Sequence, residues 1–288
     1  MIRHTSIWQH LFKTPHRLGW VDVAGVSTRF LEAGPADAPV VVLLHGTAGS
    51  LENFSANYAA YAQHFRVIGL DMLGCGWTDK PEHDYLIKDY AEHLRGFLDA
   101  MDINQAAVVG VSLGAWVGAA LALAHPQRVS KLVLVAPAGI ITDAEEERRF
   151  AEGVRKRRSA AAAAPSWESV STAMRGLVLD PESLADEMVA IRLEIYRDPR
   201  MAAAMPRLLA FSLGGQALSH DQWRSLALPI QVFAAVDAPN MFLGNAYAIA
   251  KTAPLVELVE LKACDHWAQY EQPEAFNRHS IAFLMGGG

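Results

Sequence analysis

Ser112 stands between two glycines in Gly110-Val111-Ser112-Leu113-Gly114, where the apolar run 106–111 gives way to a second apolar run, 113–125. A strand-to-helix turn of the G-x-S-x-G kind raises a serine hydroxyl to the edge of a sheet, and its strained bend needs small flanking residues. The amide of Leu113, opening the helix, points to where a negative oxygen would form, helped by the helix dipole. A serine held this way is a candidate nucleophile. It needs a base and a carboxylate to orient that base.

Both partners should follow the serine in the order acid, then histidine. His266, in Ala263-Cys264-Asp265-His266-Trp267, comes just after the last strand-like run and is the expected base. Asp237, immediately after the run 230–235, is the favoured acid, although it could simply shape a turn before Pro239. Asp71, Asp265 and Glu271 stay open as alternatives, and Asp265 is poorly placed because it adjoins the histidine. A second oxyanion donor should come from His45-Gly46-Thr47-Ala48-Gly49, where glycine lets the backbone approach a ligand. Thr47 is the expected donor, with Ala48 as the alternative, while His45 is expected to brace the loop.

These residues need a scaffold. Strand-like runs occur at 21–26, 40–44, 66–70, 106–111, 131–135, 230–235 and 256–261. From residue 40 they are almost continuously apolar, as in parallel strands covered on both faces. Helical patterns at 53–64, 87–101, 113–125, 241–251 and 274–284 alternate with them, so the fold class is α/β. Between 135 and 230 nothing resembles a strand, and prolines at 165, 181 and 199 separate helical stretches. Residues 142–224 therefore read as an inserted helical lid, with core parts at 1–141 and 225–288. The basic run 155–158 follows the acidic run 145–147 and reads as a solvated helix face.

With 288 residues, 51% of them hydrophobic, the chain can bury a large core. A net charge of -6 argues against nucleic acid or an anionic membrane as partner and leaves a small-molecule substrate. Two cysteines imply no disulfide framework and a reducing, cytoplasmic setting, and Cys75 and Cys264 read as packing residues. Residues 1–19 lack the apolar core of a signal peptide, no long apolar stretch reads as a membrane span, and the tail 286–288 reads as frayed. Neither metal-ligand spacing nor a nucleotide-binding fingerprint is present, so no metal or cofactor is expected.

Taken together, His45-Gly46, Asp71-Met72-Leu73-Gly74-Cys75-Gly76-Trp77-Thr78-Asp79-Lys80-Pro81, the serine turn and His125-Pro126-Gln127-Arg128-Val129 resemble the α/β-hydrolase fold superfamily over almost the whole chain. The resemblance implies a mostly parallel eight-stranded sheet flanked by helices, with an inserted lid. The segment Cys264-Asp265-His266-Trp267-Ala268-Gln269-Tyr270-Glu271-Gln272-Pro273-Glu274-Ala275-Phe276-Asn277 is similar to that of meta-cleavage product hydrolases, which split a carbon–carbon bond in 2-hydroxy-6-oxo-dienoates. It implies that Arg192 binds the dienoate carboxylate and that Trp267, with Gly46, Ala48 and Val111, faces substrate. Several positions depart from that family. Val111 replaces its asparagine, Thr47 and Ala48 replace two loop glycines, and the acid region reads Ala234-Ala235-Val236-Asp237-Ala238-Pro239-Asn240. The same triad would also serve a carboxylesterase or lactonase on small apolar acyl substrates. A cofactor-free lyase, a perhydrolase or a non-catalytic ligand-binding member shares the scaffold. The resemblance also implies a homodimer or higher assembly.

Overall fold

A computed structural model gives the structure of residues 6–286. Residues 1–5, part of the N-terminal stretch read above, and Gly287-Gly288 of the tail lie outside the described residues. Eight strands form one sheet: His16–Val23 (β1), Val26–Ala33 (β2), Val40–Leu44 (β3), Arg66–Leu70 (β4), Ala106–Val111 (β5), Val129–Val135 (β6), Ile230–Ala235 (β7) and Val256–Leu261 (β8). Their order is β1-β2-β4-β3-β5-β6-β7-β8. From β4 to β8 every pairing is parallel, and β1 and β2 add an antiparallel edge. All six residues of β5 are buried, which explains its unbroken apolar sequence.

Register fixes what lies side by side at one edge. Leu44 pairs with Gly110, and Val111 pairs with Val135. The loops that follow β3 and β5 therefore leave the sheet together, and those after β7 and β8 leave the same edge. Ligands of open α/β sheets bind at this edge.

The helices are Tyr58–Tyr61 (α1), Ile87–Ala100 (α2), Leu113–Ala124 (α3), Ala144–Ala163 (α4), Trp167–Arg175 (α5), Asp186–Tyr196 (α6), Met201–Leu208 (α7), His220–Ser225 (α8), Met241–Thr252 (α9), Ala268–Glu271 (α10) and Pro273–Leu284 (α11). Helix α3 packs on β5 and β6, α9 packs on β7 and β8, and α1 meets α11. The interval between β6 and β7 holds α4 to α8 and no strand, as its sequence predicts. Among the described residues no helix is long and apolar enough to cross a membrane.

Two elements differ from the sequence expectation. The run 21–26 is not one strand, because Ala24 and Gly25 take φ of 51° and 86° and close a hairpin between β1 and β2. The stretch 53–64 is not one helix either; a 3-10 turn at Leu51–Phe54 precedes the short α1. Two side chains break it. Asn53 Oδ1 accepts from the Ser50 amide at 2.9 Å, and Asn57 Nδ2 donates to the Gln269 carbonyl and to Asn277 Oδ1 at 3.0 and 2.8 Å.

Candidate active site

Ser112 leaves β5 with φ of 55° and ψ of -110°, a backbone state that costs an L-residue about 1–3 kcal/mol. Its amide donates to the Val135 carbonyl at 2.9 Å, which ties the bend to the neighbouring strand. The flanking glycines are steric necessities. A Cβ on Gly110 would lie 2.3 Å from the Gly114 carbonyl carbon, and one on Gly114 would lie 2.3 Å from the Leu44 carbonyl oxygen. Helix α3 thus starts pressed against β3 and β5.

The loop after β3 lies beside the serine: a Cβ on Gly46 would come within 3.4 Å of Ser112 Cβ. His45 is fully buried under that loop, and its Nδ1 donates to the Gly46 carbonyl at 2.7 Å while its Nε2 accepts from the Met72 amide at 3.0 Å. Burial pushes this ring down to about 4, so it stays neutral and serves as a brace. The amides of Thr47 and Leu113 donate to no acceptor among the described residues. For Leu113 this follows from its place in the first turn of α3.

Ser112, Gly46, Thr47, Leu113, His266, Trp267 and Arg192 all line one cavity of about 380 Å³. Ala48 and Val111, expected to face substrate, do not line it and are instead buried in the core. Val111 belongs to the buried core, and its Cγ1 would meet a Cβ on Gly46 at 3.9 Å. Ala48 takes φ of 51° in the turn and is fully buried.

His266 is 9% exposed, with the Phe242 ring set edge-on to it at 4.3 Å between centroids. Burial, reinforced by the positive charge of Arg158, pushes the imidazole down to about 3, which favours the neutral form a base requires. Its Nδ1 is buried and has no hydrogen-bond partner. The structure does not bring Asp237 to it: Asp237 is exposed, and its Oδ2 accepts from the Ala263 amide at 2.8 Å. Asp237 sits in a turn closed by the Ala238 amide on the Ala235 carbonyl at 3.2 Å. Asp265 accepts from Asn240 Nδ2 at 2.9 Å, and Glu271 accepts from the Asp265 and Leu179 amides, each at 2.8 Å. Asp71 is committed elsewhere, to Arg29 Nη1 at 3.2 Å and to the Leu51 and Trp77 amides at 2.8 and 2.9 Å.

The inserted helices form the opposite wall. Arg192 of α6 is 2% exposed and pairs with neither Glu187 nor Glu194, which bind Ile7 and Arg197. Its Nη2 donates to Asn53 Oδ1 at 3.4 Å, and its Nε and Nη1 have no partner. Only half of the run 155–158 is a solvated face: Lys156 and Arg157 are exposed, whereas Arg155 and Arg158 line the cavity with Glu147, Ala151 and Val154 of α4. Their spacing by three and four residues gives α4 a second, inward polar stripe that alternating charge hides from a sequence reading. Glu147 Oε2 is buried without a partner, and burial pushes that carboxyl up. Cys75 and Cys264 are free and buried, and burial pushes both thiols up to about 12, which leaves them unreactive.

The family model for the alpha/beta hydrolase fold matches residues 39–273. The 2-hydroxy-6-oxo-6-(2'-aminophenyl)hexa-2,4-dienoic acid hydrolase of Metapseudomonas resinovorans is 27% identical over 277 residues, covering 92% of this chain and 90% of that protein. A 2-hydroxy-6-oxononadienedioate/2-hydroxy-6-oxononatrienedioate hydrolase of Paraburkholderia xenovorans is 29% identical, covering 90% of this chain and 91% of its own length. Among solved structures, the meta-cleavage product hydrolase of Pseudomonas fluorescens IP01 superposes with a TM-score of 0.79 at 25% identity, covering 93% of this chain and 98% of the other. With an elbow serine, a matching sheet and these relatives, the chain belongs to the alpha/beta hydrolase fold family and resembles its meta-cleavage product hydrolases.

Proposed function

We propose that this enzyme hydrolyses a carbon–carbon bond in a 2-hydroxy-6-oxo-dienoate, using Ser112, His266 and Asp237 as its triad under a lid of residues 142–224. His266 takes the proton of the Ser112 hydroxyl, or of a water that the hydroxyl holds against the 6-oxo carbon. The new oxyanion lies between the amides of Thr47 and Leu113, each worth about 3 kcal/mol in a preorganised site. Ketonisation of the dienol precedes scission, so the leaving fragment departs as a stabilised carbanion and takes a proton. Asp237 completes the triad by turning from the Ala263 amide to the vacant Nδ1 of His266. Its support is its position: it leaves β7 at the same edge and already contacts the His266 loop.

The observation that carries the dienoate reading is Arg192, buried in the cavity wall with two donors unused and no carboxylate beside it. A buried guanidinium in that state calls for an anionic ligand, and a carboxylate fits its fork. A carboxylesterase or lactonase is the second reading, favoured by the apolar Leu113, Trp116 and Phe211 that line the cavity with Ser112. Arg192→Ala separates the two. Dienoate turnover should fall by about a hundredfold or more, as for loss of a buried charge-assisted pair, with little change on p-nitrophenyl acetate. Equal loss on both substrates sinks the carbon–carbon reading.

A further inference from the structure

Arg192 does not stand alone in its wall. Arg158 reaches the same place from α4, is 9% exposed, and donates from Nη1 to the Tyr196 Oη at 3.1 Å. Tyr196 ends α6, one turn beyond Arg192, whose guanidinium carbon lies 6.0 Å from the tyrosine ring centre. The two cations thus flank one buried phenol. Burial alone would raise that phenol, yet the Arg158 and Arg192 charges beside it hold it below its usual value. Neither arginine forms an ion pair with a carboxylate among the described residues; Arg158 has the phenol and Arg192 has the Asn53 amide oxygen. Arg155, the third cation of the stripe, is spent on the Ser212 carbonyl at 2.6 Å.

Two like charges buried side by side with only a phenol and an amide oxygen for partners leave a desolvation cost that those partners do not offset. A ligand that offsets the cost must bring negative charge to both forks. Both forks lie beside one phenol, so a ligand head that meets both must carry its oxygens close together, as a carboxylate and the oxygen on the next carbon do.

We propose that Arg158 and Arg192 form a two-arginine site that binds a carboxylate together with the oxygen on the neighbouring carbon, the head of a 2-oxo or 2-hydroxy acid. This deepens the dienoate reading and rests on it for the identity of the natural substrate. Arg192 holds the carboxylate, and Arg158 holds the 2-oxygen and shares its charge. Arg158 is then the residue that distinguishes such a head from a plain fatty acid or ester.

The test is calorimetric binding of 2-oxopentanoate and of pentanoate, which share a chain length and differ only in the 2-oxygen. Wild type should bind 2-oxopentanoate at least about tenfold tighter, the worth of one charged hydrogen bond. Arg158→Met should erase that preference, weakening 2-oxopentanoate far more than pentanoate, while Arg192→Met should weaken both ligands alike. Arg158→Lys, which keeps the charge without the fork, should retain part of the preference and guards against misfolding of the methionine variant. A preference that survives in folded Arg158→Met, or a lysine variant indistinguishable from wild type in both affinities, overturns the assignment. Binding is read without turnover, so the two ideas fail separately: a chain with the preference but no dienoate turnover loses only the carbon–carbon reading.

Discussion

Asp237 and His266 leave the same edge of the sheet without touching: the Asp237 Oδ2 is bonded to the Ala263 amide at 2.8 Å, and the His266 Nδ1 is buried with no partner. A buried orphan nitrogen is rare and costs about 1–3 kcal/mol. Swinging the carboxylate onto it would remove that cost and orient the ring. Asp237→Asn should therefore lower kcat by about a hundredfold to ten-thousandfold with KM little changed. Asp265→Asn, whose partner is Asn240, should cost less than tenfold by the usual worth of a neutral partner, about 1 kcal/mol. A larger loss from Asp265→Asn in steady-state assays would move the acid role to that residue.

Charge near the base predicts a pH effect. Burial first, then the Arg158 charge, holds His266 down to about 3, well below an ordinary imidazole. The base must be neutral, so kcat should fall only in acid, as pH drops through the folded value. Arg158→Met removes a repulsive charge, raises that value and should move the acid limb of the pH–rate profile to higher pH. An unmoved limb would mean that the Arg158 charge does not reach the ring.

Three buried neutral histidines link stability to pH. His45 and His93 are held at about 4 and His266 at about 3, all below the ordinary 6.5 and all because of burial. Between pH 6.5 and 5 the unfolded chain binds these protons and the folded chain does not, so stability falls as pH falls. Each proton contributes about 1.4 kcal/mol per pH unit, giving a slope of up to about 4 for the three near pH 5. Urea unfolding at several pH values reads this directly; a flat profile over that window would show that the rings titrate normally.

Backbone strain at the elbow sets stability against activity. At φ of 55° and ψ of -110°, position 112 suits glycine. Ser112→Gly should be more stable to urea than Ser112→Ala by about 1–2 kcal/mol, and neither should turn over substrate. Gly114→Ala, by contrast, forces a Cβ into the Leu44 carbonyl and should destabilise by about 3 kcal/mol or prevent folding. Equal stabilities for the two Ser112 variants would show that the bend is unstrained.

What was legible in the sequence was locally encoded. The unbroken apolar run of β5 and the glycines at 110 and 114 specify the elbow before any tertiary contact is considered. His266 follows from strand order alone. The hairpin at Ala24-Gly25 was hidden because alanine is an unusual choice for a positive φ. Arg158 was hidden because a mixed charge run reads the same whether its stripe faces water or a cavity, and only the packing of α4 decides. The direction of Asp237 depends on the Ala263 amide, which is distant in sequence and close in space.

The most direct test follows a 6-aryl-2-hydroxy-6-oxohexa-2,4-dienoate, loaded in excess, with wild type and with Ser112→Ala. Wild type should cleave it to a 2-hydroxydienoate and an aryl carboxylate, and the variant should bind it while losing turnover by about ten-thousandfold or more. Undiminished cleavage without the Ser112 hydroxyl would contradict the proposed chemistry at its root.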